Sequence, residues 1–172
     1  MLFVLFQLGN DRYALEARRI VEVVPLLALK QFPQSPKGVA GLFIFRGRPV
    51  PAVDLCELLF GRPAQARLST RIIVIDYDVE GGRPRLLGLI AERATAMMKR
   101  DAKEFKDLGV NLTSASCLGP VLMDERGVVQ LLDPQKLLGE SVRQLLFASA
   151  DQPRLAAANT RPLADGGVEA GR

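Results

Sequence analysis

The chain has 172 residues, 48% of them hydrophobic and 24% charged, with a formal net charge of +4. This length favours one domain, or two small ones sharing a core, and needs no disulfide or metal staple. The composition excludes a wholly disordered chain. The absence of histidine excludes His phosphotransfer, Ser-His-Asp or Cys-His nucleophile pairs and His-ligated zinc or haem.

The opening Met1-Leu2-Phe3-Val4-Leu5-Phe6-Gln7-Leu8-Gly9 lacks a basic leader and a small-residue cleavage site, and reads as a strand. No run approaches the roughly 18 apolar residues of a membrane span, so no direct membrane insertion is expected. In Ile20-Val21-Glu22-Val23-Val24, one acid stands inside an apolar run. A buried lone carboxylate is costly, so Glu22 must reach solvent, a cation or a partner. Phe45-Arg46-Gly47-Arg48 reads as a tight hairpin, with Gly47 supplying positive φ. Arg46 is either an ordinary solvated turn residue or a planar fork for a partner carboxylate. The run Arg48-Pro49-Val50-Pro51-Ala52-Val53 carries two prolines, which cannot donate to a ladder, so it predicts an edge or bulged strand. Asp54 is the candidate cap of a short helix, Leu55 to Phe60, ended by Gly61.

Arg71 to Tyr77 is a β-branched run and predicts a buried strand. Its terminal Asp76 and Asp78 superficially resemble the phosphoacceptor strand of a response-regulator receiver. A phosphorylatable, receiver-like regulator is therefore the alternative reading. It lacks the acidic pair after the first strand that would hold Mg²⁺, and the alternating helices of a doubly wound sheet. Gly81-Gly82-Arg83-Pro84 turns the chain into Leu86 to Ile90, and Met97-Met98 reads as core filler. Asp133 and Pro134 are the predicted cap and first residue of a final helix with a stripe at Leu137, Leu138, Val142, Leu145 and Leu146. The globular part is expected to span residues 1–150. Residues 151–172 lack aromatics and read as a flexible tail.

Cys56 and Cys117 form no CxxC and predict two reduced thiols in the cytoplasm. Basic and acidic residues alternate along the chain, and aromatics are few, so nucleic acid is not an expected partner. No metal or cofactor motif is present. An internal repeat is visible. Gly41 to Leu59 and Gly119 to Leu138 both read Gly, apolar strand, Arg-Gly turn (Arg46-Gly47, Arg126-Gly127), apolar strand, Asp cap, Leu-Leu. Upstream, Tyr13 to Ile20 echoes Leu87 to Ala94. Two such units fit two similar β-subdomains packed face to face.

Together these residues resemble the CheW-like domain, the coupling module of bacterial chemosensory arrays. The pattern runs over most of residues 2 to 140. It includes Gly9…Tyr13-Ala14-Leu15, Ile20-Val21-Glu22-Val23, Gly38-Val39-Ala40-Gly41, Arg46-Gly47…Pro51-Ala52-Val53-Asp54-Leu55, Thr70 to Val74, Leu87 to Ile90, and Gly119…Leu131-Leu132-Asp133…Leu137-Leu138. The opening and the Leu89 to Thr95 segment are most similar to couplers of the Wsp type, whose pathways link a surface-sensing receptor to cyclic di-GMP synthesis. The resemblance implies an all-β fold of two intertwined five-stranded SH3-like β-barrel subdomains with a C-terminal helix. It also implies a scaffold without catalysis or cofactor. The implied partners are the cytoplasmic tip of a methyl-accepting chemotaxis receptor and the regulatory domain of a CheA-type histidine kinase. Ile20, Glu22 and Arg46 fall where the family engages or supports the receptor, and Leu29 and Gly41 near the kinase contact. Gly47 and Gly127 are implied turn residues, Asp54 and Asp133 implied caps. One departure stands out: the family usually has Asn two residues before the Arg, and this chain has Ile44. No kinase catalytic or dimerisation region accompanies the pattern, so a free-standing coupler is expected.

Overall fold

The structure is a computed structural model and describes residues 1–109 and 116–148. The expected tail, 151–172, lies outside the described residues. The strands are β1 (Leu2–Leu8), β2 (Asp11–Glu16), β3 (Ile20–Pro25), β4 (Val39–Phe45), β5 (Arg48–Asp54), β6 (Arg71–Tyr77), β7 (Arg85–Lys99), β8 (Leu118–Asp124) and β9 (Gly127–Leu132). The α-helices are α1 (Leu55–Phe60) and α2 (Glu140–Phe147).

β7 belongs to two sheets. Its first half pairs with β6 through Arg71↔Ala91 to Tyr77↔Arg85, and with β5 through Ala52↔Gly88 to Asp54↔Ile90. Its second half leaves that sheet and pairs with β1, from Gln7↔Glu92 to Leu2↔Lys99. The first barrel therefore runs β3-β6-β7-β5-β4 and the second β7-β1-β2-β9-β8. Each is closed by one isolated bridge. Lys30 N–H donates to the Leu42 carbonyl at 2.8 Å and the Lys30 carbonyl accepts from Leu42 N–H at 2.9 Å; Lys106 and Val121 do the same at 2.8 and 2.9 Å.

The two barrels repeat each other pair for pair. Parallel Ala52↔Gly88 in the first corresponds to Leu131↔Ala14 in the second. Antiparallel Val23↔Ile73 corresponds to Met97↔Val4, and the closing pair Lys30↔Leu42 to Lys106↔Val121. The intertwining is a reciprocal exchange. The chain leaves the second barrel after β2 to supply β3 to the first. It leaves the first barrel half-way along β7 to supply the remainder to the second.

The largest buried cluster lies between the barrels, joining Val4, Phe6, Leu8, Tyr13 and Leu15 to Val53, Leu55, Ile73, Ile75, Tyr77, Leu87 and Leu89. Smaller cores fill each barrel: Phe43, Phe45, Val50, Ala52, Ile72, Val74 and Ile90 in the first, Phe3, Ala14, Met98, Leu122 and Val129 in the second. α2 closes one end, with Phe147 stacked on Tyr77 at 5.4 Å between centroids. Cys56 and Cys117 are free and buried in the inter-barrel core. Burial pushes the Cys56 thiol up to about 12, which keeps it protonated and unreactive.

One local expectation holds in part and three need correction. β5 is at an edge where its prolines lie and its ladder with β4 is bulged at Ala52, but β7 joins it from Ala52 onward. Pro49 and Pro51 precede that point and face only β4, so the missing N–H groups cost the ladder nothing there. Asp133 does not cap the final helix. It accepts from Gln135 N–H at 3.1 Å and caps a one-turn 3₁₀ helix, Pro134–Lys136. Gly139 then resets the chain before α2, and Leu145 is exposed while Phe147 is buried. Met98 is core filler, but Met97 is 60% exposed because successive strand residues face opposite ways. Finally, the two Arg-Gly turns are not equivalent. Arg46 and Gly47 are the central pair of a hairpin closed by Phe45↔Arg48, whereas Gly127 follows the central pair Glu125-Arg126, with φ of +107°.

Two arginine-paired carboxylates pin the fold, Asp124 half-buried and Glu92 buried. Asp124 accepts from both terminal nitrogens of Arg12, at 2.6 and 2.7 Å, tying the β8–β9 turn to β2. Glu92 lies where β7 changes sheets. Its Oε1 accepts from Arg62 Nη1 at 2.9 Å and Gln65 N–H at 2.8 Å, and its Oε2 from Gly9 N–H at 3.2 Å. These donors hold both carboxyls down to about 2, the arginine bond being the first cause in each case. Depressed folded-state values mean that the stabilisation is full above about pH 4.5 and is lost as pH falls towards 2. The melting temperature should therefore decline through that window. Asp124→Asn should melt roughly 4–8 °C lower at pH 7 and show a flatter acid decline; an unchanged slope in thermal melts would contradict the assignment.

Candidate functional site

The first barrel gathers most of the residues singled out in the sequence. β3 is bulged between Ile20↔Ile75 and Glu22↔Val74, so Val21 is the extra residue. Ile20 is half-buried and packs on the inter-barrel core. Val21 and Val23 point outward and are exposed. Glu22 reaches both solvent and a cation, as Arg46 Nη2 donates to Glu22 Oε2 at 2.5 Å.

Arg46 is delivered by local backbone chemistry. Its φ is +48° and that of Gly47 is +72°. Positive φ at both central residues is the pattern of a type I′ turn, whose twist matches that of the flanking strands. An arginine held left-handed at the turn reaches back over its neighbour, with the guanidinium 4.9 Å from the Phe45 ring centroid, and meets β3. The side chains of Arg46 and Glu22 are 68% and 42% exposed, so the pair contributes less than about 1 kcal/mol to stability. It is a pre-positioned, water-facing donor and acceptor set next to apolar edge residues.

Leu29 and Gly41 meet through the barrel-closing bridge. Leu29 packs on the first-barrel core, and the following Lys30 pairs with Leu42. Gly41 is buried at φ +141°, and a Cβ there would lie 2.4 Å from the Lys30 carbonyl oxygen. Gly41 therefore presents no side chain to a partner; it permits the 29–31 segment to cross β4 at close range. Phe32, Leu27 and Ile44 are exposed on this barrel. Asp54 is buried and accepts from Cys56 N–H, Glu57 N–H and Ala64 N–H at 2.9, 3.1 and 2.8 Å, capping α1 and fastening the loop after it.

Sequence reasoning missed Glu92, Arg62, Arg12 and Asp124. Glu92 follows Leu89-Ile90-Ala91, the same signal of one acid in an apolar run that marked Glu22. Nothing local marks Arg12 and Asp124, which are 112 residues apart. The larger groove, ≈ 460 Å³, lies between the end of β6 and α2, lined by Tyr77, Val79, Glu80, Glu140, Arg143 and Phe147. Among the described residues it brings together no nucleophile and base.

A family model described as the CheW-like domain matches residues 2–142. The chain belongs to the CheW-like family. Two curated relatives are each named chemotaxis protein CheW. That of Helicobacter pylori is 28% identical over 98 residues, 56% of this chain and 56% of that protein, so the match spans just over half its length. That of Klebsiella aerogenes is 22% identical over 147 residues, 84% of this chain and 85% of that protein. Among solved structures, the scaffolding protein TtCheW of Thermoanaerobacter tengcongensis shares the fold with a TM-score of 0.71 at 18% identity, over 82% of this chain and 89% of that one. Like its family, this CheW-like chain is a non-catalytic scaffold and not an enzyme.

Two substitutions separate surface from support in this CheW-like chain. Arg46→Glu should change the melting temperature little, since an exposed pair is lost. Gly41→Ala should destabilise by about 2 kcal/mol or more, since backbone must move to admit the methyl. Thermal melts check both; a stable Gly41→Ala protein would show that the Lys30 crossing is dispensable.

Proposed function

We propose that the chain couples the cytoplasmic tip of a methyl-accepting chemotaxis receptor to the regulatory domain of a CheA-type histidine kinase. The observation that carries the reading is the Glu22–Arg46 pair on the bulged edge of β3, an exposed polar set beside Val21 and Val23. Ile20, Glu22 and Arg46 form the receptor contact, with Ile20 anchoring the strand to the core. Leu29 and the 29–31 segment form the kinase contact, with Gly41 shaping it from beneath. The pathway served is of the Wsp type, with cyclic di-GMP synthesis as its output. The chain works on the cytoplasmic side, recruited to membrane receptor arrays through its partners. Among the described residues no helix is long and apolar enough to cross a membrane.

The mechanism is positional. A scaffold that holds the kinase domain at a fixed geometry to the receptor passes on a signal when the receptor's states differ in how well they accommodate that geometry. Equal affinity for both states would shift nothing. The receiver-like alternative fails on fold: Asp76 lies near the end of a strand of a β-barrel, not of a doubly wound parallel sheet.

The test is a pair of binding titrations, with receptor tip and with kinase regulatory domain. Wild type should bind both. Arg46→Glu should weaken receptor binding about tenfold or more by leaving two like charges at a desolvated contact, with kinase binding retained. Normal receptor binding by a folded Arg46→Glu protein would overturn the site assignment. Failure of wild type to bind either partner would overturn the function.

A further inference from the structure

The chain crosses between the barrels twice, and the two crossings are built differently. At the first, residues 17–19 form a single 3₁₀ turn with no buried residue. Its ion pairs, Arg18–Glu16 and Arg19–Asp78, lie at the surface. At the second, β7 continues as one strand through a bulge between Glu92 and Ala96, where Arg93 has a φ of +48°, and its residue at the point of transfer is the buried Glu92.

The donors around Glu92 come from both sides. Gly9 N–H belongs to the β1–β2 turn of the second barrel. Arg62 and Gln65 N–H belong to the loop that follows β5 and α1 of the first. The apolar core between the barrels is extensive but non-directional. Charge-assisted hydrogen bonds are directional, and here they converge on one carboxylate from two barrels.

We propose that Glu92 is a positioning residue that fixes the relative orientation of the two barrels. The surface 17–19 turn buries nothing that would set the angle, and the Glu92 clamp adds directional contacts to the apolar core. The consequence for signalling rests on the scaffold reading, since two partners held by one chain are held at an angle set by its interior. The clamp itself does not rest on that reading.

The experiment uses the full chain without partners. Nitroxides are placed at exposed positions on each barrel, Arg48→Cys in the first and Glu125→Cys in the second; the native Cys56 and Cys117 are buried. Electron–electron resonance gives the distance distribution, and amide exchange is followed at Gly9 and Gln65. In Glu92→Gln the distribution should broaden or shift, and exchange at both amides should rise by about tenfold or more as local opening becomes easier. Should Glu92→Gln fail to fold, Arg62→Gln, which spares the two backbone donors, decides in the same way. A distance distribution identical to wild type in the folded variant overturns the proposal whatever the exchange shows. Because no partner takes part, loss of the receptor–kinase reading leaves this result standing.

Discussion

A strand of fifteen residues that serves two sheets governs the architecture. Residues 87 to 92 of β7 are all buried, since the strand lies against β6 and β5 on its edges and between cores on its faces. That burial explains a run of Leu87-Gly88-Leu89-Ile90-Ala91 with no polar alternation. It also explains Gly88, where a Cβ would come within 2.5 Å of the Phe43 ring and 2.9 Å of an Ile72 methyl. Once β7 is shared, neither barrel can close alone, and the largest core forms between them. The product is a two-part body joined by one strand and one core, which suits the proposed role of holding two partners at a fixed geometry.

The duplication is faithful in backbone and divergent at the surface. The bulged edge strand recurs, with Glu22↔Val74 in the first barrel and Ala96↔Leu5 in the second. Counting through the matched ladders, the place of Glu22 is taken by Ala96 and that of Arg46 by Glu125. Inward positions must keep their packing, because losing a buried side chain costs roughly 2–5 kcal/mol. Outward positions carry no such cost and are free to differ. The Glu22–Arg46 pair therefore belongs to one barrel alone, and the proposed receptor contact is one-sided although the frame is two-fold.

Much of this was legible in the sequence. Strand runs, the Asp54 cap, the Arg46-Gly47 turn and the repeat all rest on local periodicity or turn chemistry, and each has a structural counterpart. The Glu22 problem was also visible, as an acid among apolar residues that must reach solvent, a cation or a partner; it reaches solvent and a cation 24 residues away. What escaped depends on long-range pairing. The inner position of β5 is set by β7, more than thirty residues later in the chain. The helix break at Gly139 depends on Leu137 and Leu138 being drawn into the inter-barrel core. The clamp at Glu92 needs donors from 83 and 30 residues upstream. No local rule reports such encounters.

The central claim is that the two barrels are one cooperative unit because they share β7 and the core around it. Native-state hydrogen exchange tests it directly, comparing amides of Ile73 and Ile75 in the first barrel with those of Ala14 and Val129 in the second under increasing denaturant. A shared unit predicts that all four converge on a single opening free energy and a single denaturant dependence. Two separate free energies, with one barrel opening while the other stays protected, would contradict it.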